Sequence, residues 1–151
     1  MKKSILLLAI LAASVFLATP RKVWATPPNG LQFQDVFTRA ETANRLPPGL
    51  LSRMAYQESR YNPLATGSSG EIGIMQIIPR FHPDVNPADP VASIEYAGRL
   101  MRQYYNQFGS WQAAIAAYNW GVTNVNRYGW QAAPTSTQAY INGVLSDIGV
   151  I

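Results

Sequence analysis

Beyond residue 25 the apolar positions recur at helical spacing, in short stretches broken by glycine and proline. Residues 31–43 predict a first helix, with Leu31, Val36 and Ala40 set among polar neighbours. Pro47-Pro48-Gly49 then interrupts. Leu50, Leu51, Met54, Ala55 and Glu58 follow at i, i+1, i+4, i+5 and i+8, one face of a second helix. Residues 60–73 are rich in Gly, Ser, Asn and Pro and read as a loop. Asp89-Pro90 pairs an N-cap oxygen with a proline at the first helical position. From there Ile94, Ala97, Met101, Tyr104 and Phe108 run on one stripe to a stop at Gly109. Ser110 caps a helix over 111–119 that ends by Gly121, and Pro134-Thr135-Ser136 opens a last one carrying Tyr140, Ile141, Val144 and Leu145. No stretch sustains the alternation of a strand. The pattern predicts a compact, mainly α-helical domain.

The first 25 residues follow another logic. Lys2 and Lys3 precede an apolar run over 5–18, and the segment closes on Val23-Trp24-Ala25. A basic start, a short apolar stretch and small residues at the end describe a secretory signal peptide. The run is shorter than the ~20 residues a membrane-spanning helix needs. Residues 1–25 are therefore read as a signal peptide cleaved near Ala25, with a retained anchor as the alternative, and 26–151 as one domain. The formal charge of +4 is a property of the leader. After residue 25 the chain has eight arginines, no lysine and eight acids. That balance removes the basic surplus on which nucleic-acid binding depends, and no nucleic-acid partner is expected. With no cysteine, disulfides, thiolate metal sites and cysteine nucleophiles are excluded.

Few candidates for chemistry remain. His82 is the sole histidine, and one histidine does not build a typical zinc site. Neither Ser68 nor Ser69 lies in a Gly-x-Ser-x-Gly elbow. Tyr118-Asn119-Trp120-Gly121, Tyr128 and Trp130 gather where a helix ends, and flat rings beside amides suit the faces of sugars. Glu58 is the sharpest feature. It closes an apolar helical stripe just before a glycine-rich loop. Desolvation there disfavours the charged form and raises the pKa, as a general acid at neutral pH requires.

Three ordered motifs extend this reading: Glu58-Ser59-Arg60-Tyr61-Asn62-Pro63-Leu64-Ala65, then Gly70-Glu71-Ile72-Gly73-Ile74-Met75-Gln76-Ile77-Ile78-Pro79, then Ala116-Ala117-Tyr118-Asn119-Trp120-Gly121. Together they resemble the soluble-type lytic transglycosylases, lysozyme-like enzymes that cleave bacterial peptidoglycan, and the likeness runs from about Leu50 to Leu145. It implies a lysozyme-like helical domain with a cleft. It also implies that Glu58 is the catalytic residue and that Gly73, Met75 and Gln76 line the cleft, with Gln76 contacting sugar. Tyr118 and Asn119 would flank the carboxyl group, and Tyr140 would belong to the closing helix. The chain departs from the family at Gly67, where a serine is usual, at Glu71, often alanine, and at Ser136, often an acid. Ser68 is expected to supply the hydroxyl that Gly67 lacks.

No acid besides Glu58 sits in a motif suited to a nucleophile, so the substrate must supply one. In this family that is the C6 hydroxyl of N-acetylmuramic acid, which closes a 1,6-anhydro ring as the bond to N-acetylglucosamine breaks. No metal or organic cofactor is implied. The alternatives are a lysozyme-type hydrolase on the same fold and a peptidoglycan-binding protein without turnover. The partners expected are glycan strands of the wall, met as a monomer in the periplasm or outside the cell, in the service of wall turnover, a secretion or conjugation apparatus, or a phage. N-terminal sequencing of the exported protein should begin at Thr26; an intact Met1 in membrane fractions would select the anchor instead.

Overall fold

The computed structural model describes residues 25–150, so the segment read as a signal peptide lies outside the described residues except for Ala25. Among the described residues there are six α-helices: α1 (Gln34–Ala43), α2 (Leu50–Ser59), α3 (Pro90–Phe108), α4 (Trp111–Trp120), α5 (Val122–Tyr128) and α6 (Thr135–Asp147). Short 3-10 turns at Pro28–Phe33 and Trp130–Ala132 accompany them. The described residues contain no strand, only isolated antiparallel bridges of Thr66 with Ile72 and of Ile72 with Ile77. The mainly α-helical expectation holds.

The core is organised around α4. Ala113, Ala114, Ile115, Ala116 and Ala117 are all buried, and a helix apolar on every side belongs in the interior. Its small side chains let α3, α5 and α6 pack against it. α1 lies on α3, and α2 lies on α6 and α1. Phe37, Leu50, Leu51, Met54, Ile94, Met101, Ile141 and Leu145 fill the space between them and are fully buried.

Two caps stand as the sequence suggests. Asp89 accepts from the N–H groups of Val91 and Ala92, and Ser110 accepts from that of Ala113. One boundary differs, and one helix goes unforeseen in the sequence. The first α-helix starts at Gln34, because the proline-led segment before it winds as a 3-10 turn that leaves Leu31 exposed. α5 has only Val125 buried, too little for any stripe to register in the sequence.

α2, which carries Glu58, has no cap of its own, since Gly49 before it is left-handed at φ 85°. Its N-terminal donors are met from α1. The carboxylate of Glu41 accepts from Gly49 N–H at 2.8 Å and from Leu51 N–H at 2.9 Å, with Ser52 N–H at the edge of reach at 3.5 Å. A negative group at the positive end of a helix is favourable. Burial still pushes the Glu41 carboxyl up, against the pull of these donors. At the other end Arg60 and Tyr61 both take left-handed backbone, φ 54° and 64°, a conformation uncommon outside glycine. Tyr61 is held by burial against Phe37 and Tyr56, and the Arg60 guanidinium lies 4.0 Å from the centre of the Tyr56 ring. The chain thus turns sharply after Ser59, and the loop returns over the end of α2. Arg53 ties the same helix to α6 through a 2.6 Å ion pair with Asp147.

Glu41→Ala should lower the unfolding free energy by about 2–3 kcal/mol, since buried helix-end donors lose a charged acceptor. Glu41→Gln, which keeps one acceptor oxygen, should lose less. Denaturant melts of the two variants check this order.

Candidate active site

Glu58 occupies the last turn of α2 and is half-buried. The hydroxyl of Tyr140, from α6, donates to its Oε1 at 2.6 Å. Beside it Ser59 donates from Oγ to the carbonyl of Ile74 at 2.8 Å, fastening the returning loop to the helix end. The next carbonyl, that of Met75, accepts from the Tyr118 hydroxyl of α4 at 2.7 Å. Three helices and one loop therefore meet around a single carboxyl group.

The other residues singled out by sequence fall into distinct places. Gly73 and Met75 are buried beneath the surface of the loop, with Met75 fully enclosed. Gly73 stands at φ 77°, and a Cβ there would come within 2.0 Å of the Pro87 carbonyl oxygen, so no larger residue fits. Residues 73–76 form turns, not a helix. Gln76 is left-handed at φ 49°, and its amide Nε2 donates to the carbonyls of Gly73 at 2.9 Å and Ala65 at 3.3 Å. Asn119 is exposed, and its Oδ1 accepts from Thr137 Oγ1 at 2.8 Å. Ser68 is exposed on the loop. The space a side chain at position 67 would fill is taken by Glu71, whose Oε2 lies 2.2 Å from where a Cβ would stand.

A cavity of about 820 Å³ adjoins the site. Gln76, Tyr118, Asn119 and Trp120 are among the residues that line it, with Phe81, His82 and Tyr96. His82 Nδ1 lies 2.9 Å from the Tyr96 hydroxyl, and burial pushes the imidazole below its ordinary value. Trp120 and Tyr128 approach with ring centres 6.1 Å apart. Among the described residues no cluster of three or more His, Cys, Asp or Glu could hold a metal ion.

The electrostatics follow from this packing. Burial raises the Glu58 carboxyl to about 7; the Tyr140 hydrogen bond opposes that shift, and the like charge of Glu71 adds to it. Tyr140 and Tyr118 are pushed well above the usual phenol value, by burial first and then by the charge of Glu58. Glu71 is held below the usual carboxylate value by backbone N–H groups, its own first and then that of Ser69. Sequence reasoning missed Ser59 and the placement of Glu71. The first could have been found as the neighbour of Glu58 on a helix's last turn; the second depends on the loop's return and left no local signal.

The raised Glu58 carboxyl carries a stability consequence. Folding holds its proton up to about pH 7, whereas the unfolded chain releases it near the ordinary value. The contribution is present at low pH and is lost as pH rises through that window, by about 3 kcal/mol at most. Glu58→Gln removes the penalty and keeps an oxygen to accept from Tyr140. Its melting temperature should exceed that of wild type at pH 8, with the gap closing toward pH 4. Thermal melts across that range check it.

The comparisons with known proteins converge. The family described as "Transglycosylase SLT domain" matches residues 35–141. The chain is 27% identical over 124 residues to a protein of Enterobacteria phage PRD1 named "Transglycosylase", covering 80% of this chain and 44% of that one. It is 34% identical over 101 residues to "Membrane-bound lytic murein transglycosylase F" of Ectopseudomonas mendocina, covering 60% of this chain and 20% of that one. The crystal structure of the 70 kDa soluble lytic transglycosylase of Escherichia coli superposes with a TM-score of 0.65 at 27% identity, over 76% of this chain and 23% of that one. The chain thus spans less than half the length of each of these proteins. Matched over most of its helices by that family, the chain belongs to the transglycosylase SLT domain family.

Proposed function

We propose that the protein is an exported peptidoglycan lytic transglycosylase, cleaving the β-1,4 bond between N-acetylmuramic acid and N-acetylglucosamine and leaving 1,6-anhydro ends. The observation that carries this reading is a half-buried carboxyl group on Glu58 that keeps its proton to about neutral pH while one oxygen accepts from Tyr140 at 2.6 Å. Family membership and the names of the relatives support it.

With Tyr140 donating to Oε1, the acidic proton of Glu58 belongs on the other oxygen, free to meet the glycosidic oxygen. Its transfer makes the leaving sugar a neutral alcohol. The carboxylate so formed is stabilised by the Tyr140 donor, already in place, and then accepts the proton of the C6 hydroxyl as that oxygen attacks the anomeric carbon. Glu58 gives one proton to the leaving oxygen and regains another from the C6 hydroxyl, and no water is consumed. Gln76, Tyr118 and Asn119 border the adjoining cavity, where rings and amides can hold the flanking sugars. Gly73 and Met75 serve the site from below by shaping the turn, and the Met75 carbonyl anchors Tyr118.

Purified cell-wall sacculi decide the reaction. Wild type should release muropeptides with 1,6-anhydro ends, each one water lighter by mass spectrometry than a hydrolysis product. Free reducing ends would reassign the protein as a hydrolase, and binding without release would make it a wall-binding module. Glu58→Gln should fold and lose at least about a hundredfold in turnover. The wild-type kcat/KM should fall above about pH 7 as Glu58 loses its proton.

A further inference from the structure

Five large hydrophobic side chains stand exposed among the described residues: Leu31, Leu64, Phe81, Val91 and Tyr128. Of these, Phe81 alone borders the cavity beside the site. It is 63% exposed, an unfavourable setting for a phenyl ring in water. The loop nonetheless holds it there. Phe81 N–H donates to the Ile78 carbonyl at 3.0 Å and His82 N–H to that of Pro79 at 3.1 Å, so two turns fix its backbone. His82 lies edge-on to Tyr96 of α3, with ring centres 5.5 Å apart and Nδ1 2.9 Å from the hydroxyl, which pins the turn to a helix. The Arg80 guanidinium lies 4.6 Å from the centre of the Phe81 ring and covers one face. The other face stays open.

The cavity carries no charge at neutral pH. Among the described residues that line it there is no Asp, Glu, Lys or Arg, and burial holds His82 below its ordinary value. Rings, amides and a hydroxyl take their place, Tyr104, Trp120, Gln103 and Thr123 among them. The lining follows one face of α3 from Tyr96 to Gln107, eleven residues on and about 16 Å along the axis. At Gln107 the amide Nε2 donates to Asn126 Oδ1 of α5 at 3.1 Å. A long, uncharged trough of rings and amides suits an extended neutral ligand bearing amides and hydroxyls. The stem peptides of peptidoglycan, with their free carboxylates, find no cation in that lining. The N-acetylated sugars of its strands match it.

We propose that Phe81 is a sugar-stacking platform: the apolar face of one N-acetylated sugar of a glycan strand lies on the open face of its ring, in a subsite that Arg80, His82 and Tyr96 hold in place. The proposal rests on the reading of the protein as one that acts on peptidoglycan strands. It names a contact for them outside the three sequence motifs, the second of which ends at Pro79. In a β-1,4 strand each pyranose ring turns a row of axial C–H bonds to one side. Their partial positive charge is attracted by the negative face of an aromatic ring. With its backbone fixed and its far face covered, the Phe81 ring loses little freedom when the sugar arrives, so ordering it costs little. Phe81 touches no reacting atom; it fixes where the strand lies.

The test is made in the whole protein carrying Glu58→Gln, which should bind strands without cutting them. The probes are oligomers of two to six β-1,4-linked N-acetylglucosamine units, followed by calorimetry. Affinity should rise with length to the hexamer and change little with salt, since no charge is met. Phe81→Ala should weaken the hexamer about three- to tenfold. Phe81→Tyr should keep the parent affinity, and Phe81→Leu, apolar but without a ring face, should behave as alanine does. The side chain is exposed, so all three should fold, which melting curves check. On uncrosslinked strands, with Glu58 intact, Phe81→Ala should raise KM by a similar factor and leave the alkaline limb of the pH profile in place. A hexamer affinity unchanged in Phe81→Ala, or restored by leucine, would overturn the proposal, and so would a hexamer that does not bind. A defect seen only with peptide-bearing strands, and falling away at high salt, would overturn it in favour of stem-peptide carboxylates at Arg80. If wild type released nothing from sacculi while the hexamer still bound through Phe81, the proposed reaction would fall and the subsite would stand.

Discussion

The hydrogen bond from Tyr140 to Glu58 joins residues 82 apart in sequence, and most of the architecture serves to bring them together. A carboxyl group at a helix end would ordinarily turn to water and ionise. Here α6 lies along α2, tied to it by Arg53 and Asp147, and its tyrosine reaches the oxygen that water would otherwise take. Glu41 holds the far end of the same helix, so the carboxyl group is borne on an element fastened at both ends. α4 completes the enclosure because its alanines let α3 and α6 close around it. Burial of Glu58 is thus a property of helix packing, and the local sequence around it could not produce it alone.

Much of this was legible in the chain. Asp89-Pro90, Ser110 and the glycines at 109 and 121 mark helix ends because capping is local chemistry: the side chain that satisfies the donors lies one to three residues away. The stripe through Leu50, Met54 and Glu58 showed where the carboxyl group faces for the same reason, since helical periodicity is short-range. α5 escaped notice because a seven-residue helix with one buried side chain has no period to detect. Glu41 escaped because the helix it caps is not its own.

The site divides along the same line. Glu58, Gln76, Tyr118 and Asn119 stood out through residue types in ordered motifs, and Tyr140 through the resemblance those motifs carry. Their mutual geometry was not legible: Tyr140 touches Glu58 directly, while Tyr118 spends its hydroxyl on the Met75 carbonyl. Gly67 and Glu71 each read as an isolated departure. Only the hairpin that returns through Ile72 reveals that the absence of a side chain at one position makes room for the side chain of the other. Ser68, expected to turn inward, stays at the surface beside that arrangement.

The enclosure of Glu58 by a helix from the far part of the sequence has a bearing on timing. Until residues 135–147 have docked, Tyr140 does not reach the carboxyl group and its enclosure is incomplete. A newly made or unfolded chain therefore carries a glutamate of ordinary acidity, already ionised at neutral pH and unable to hand over a proton. Under the proposed reading, the acid is in this sense latent in the polypeptide and depends on the docking of α6. A protein that opens a load-bearing polymer, as proposed, would be harmless for as long as it remained unfinished.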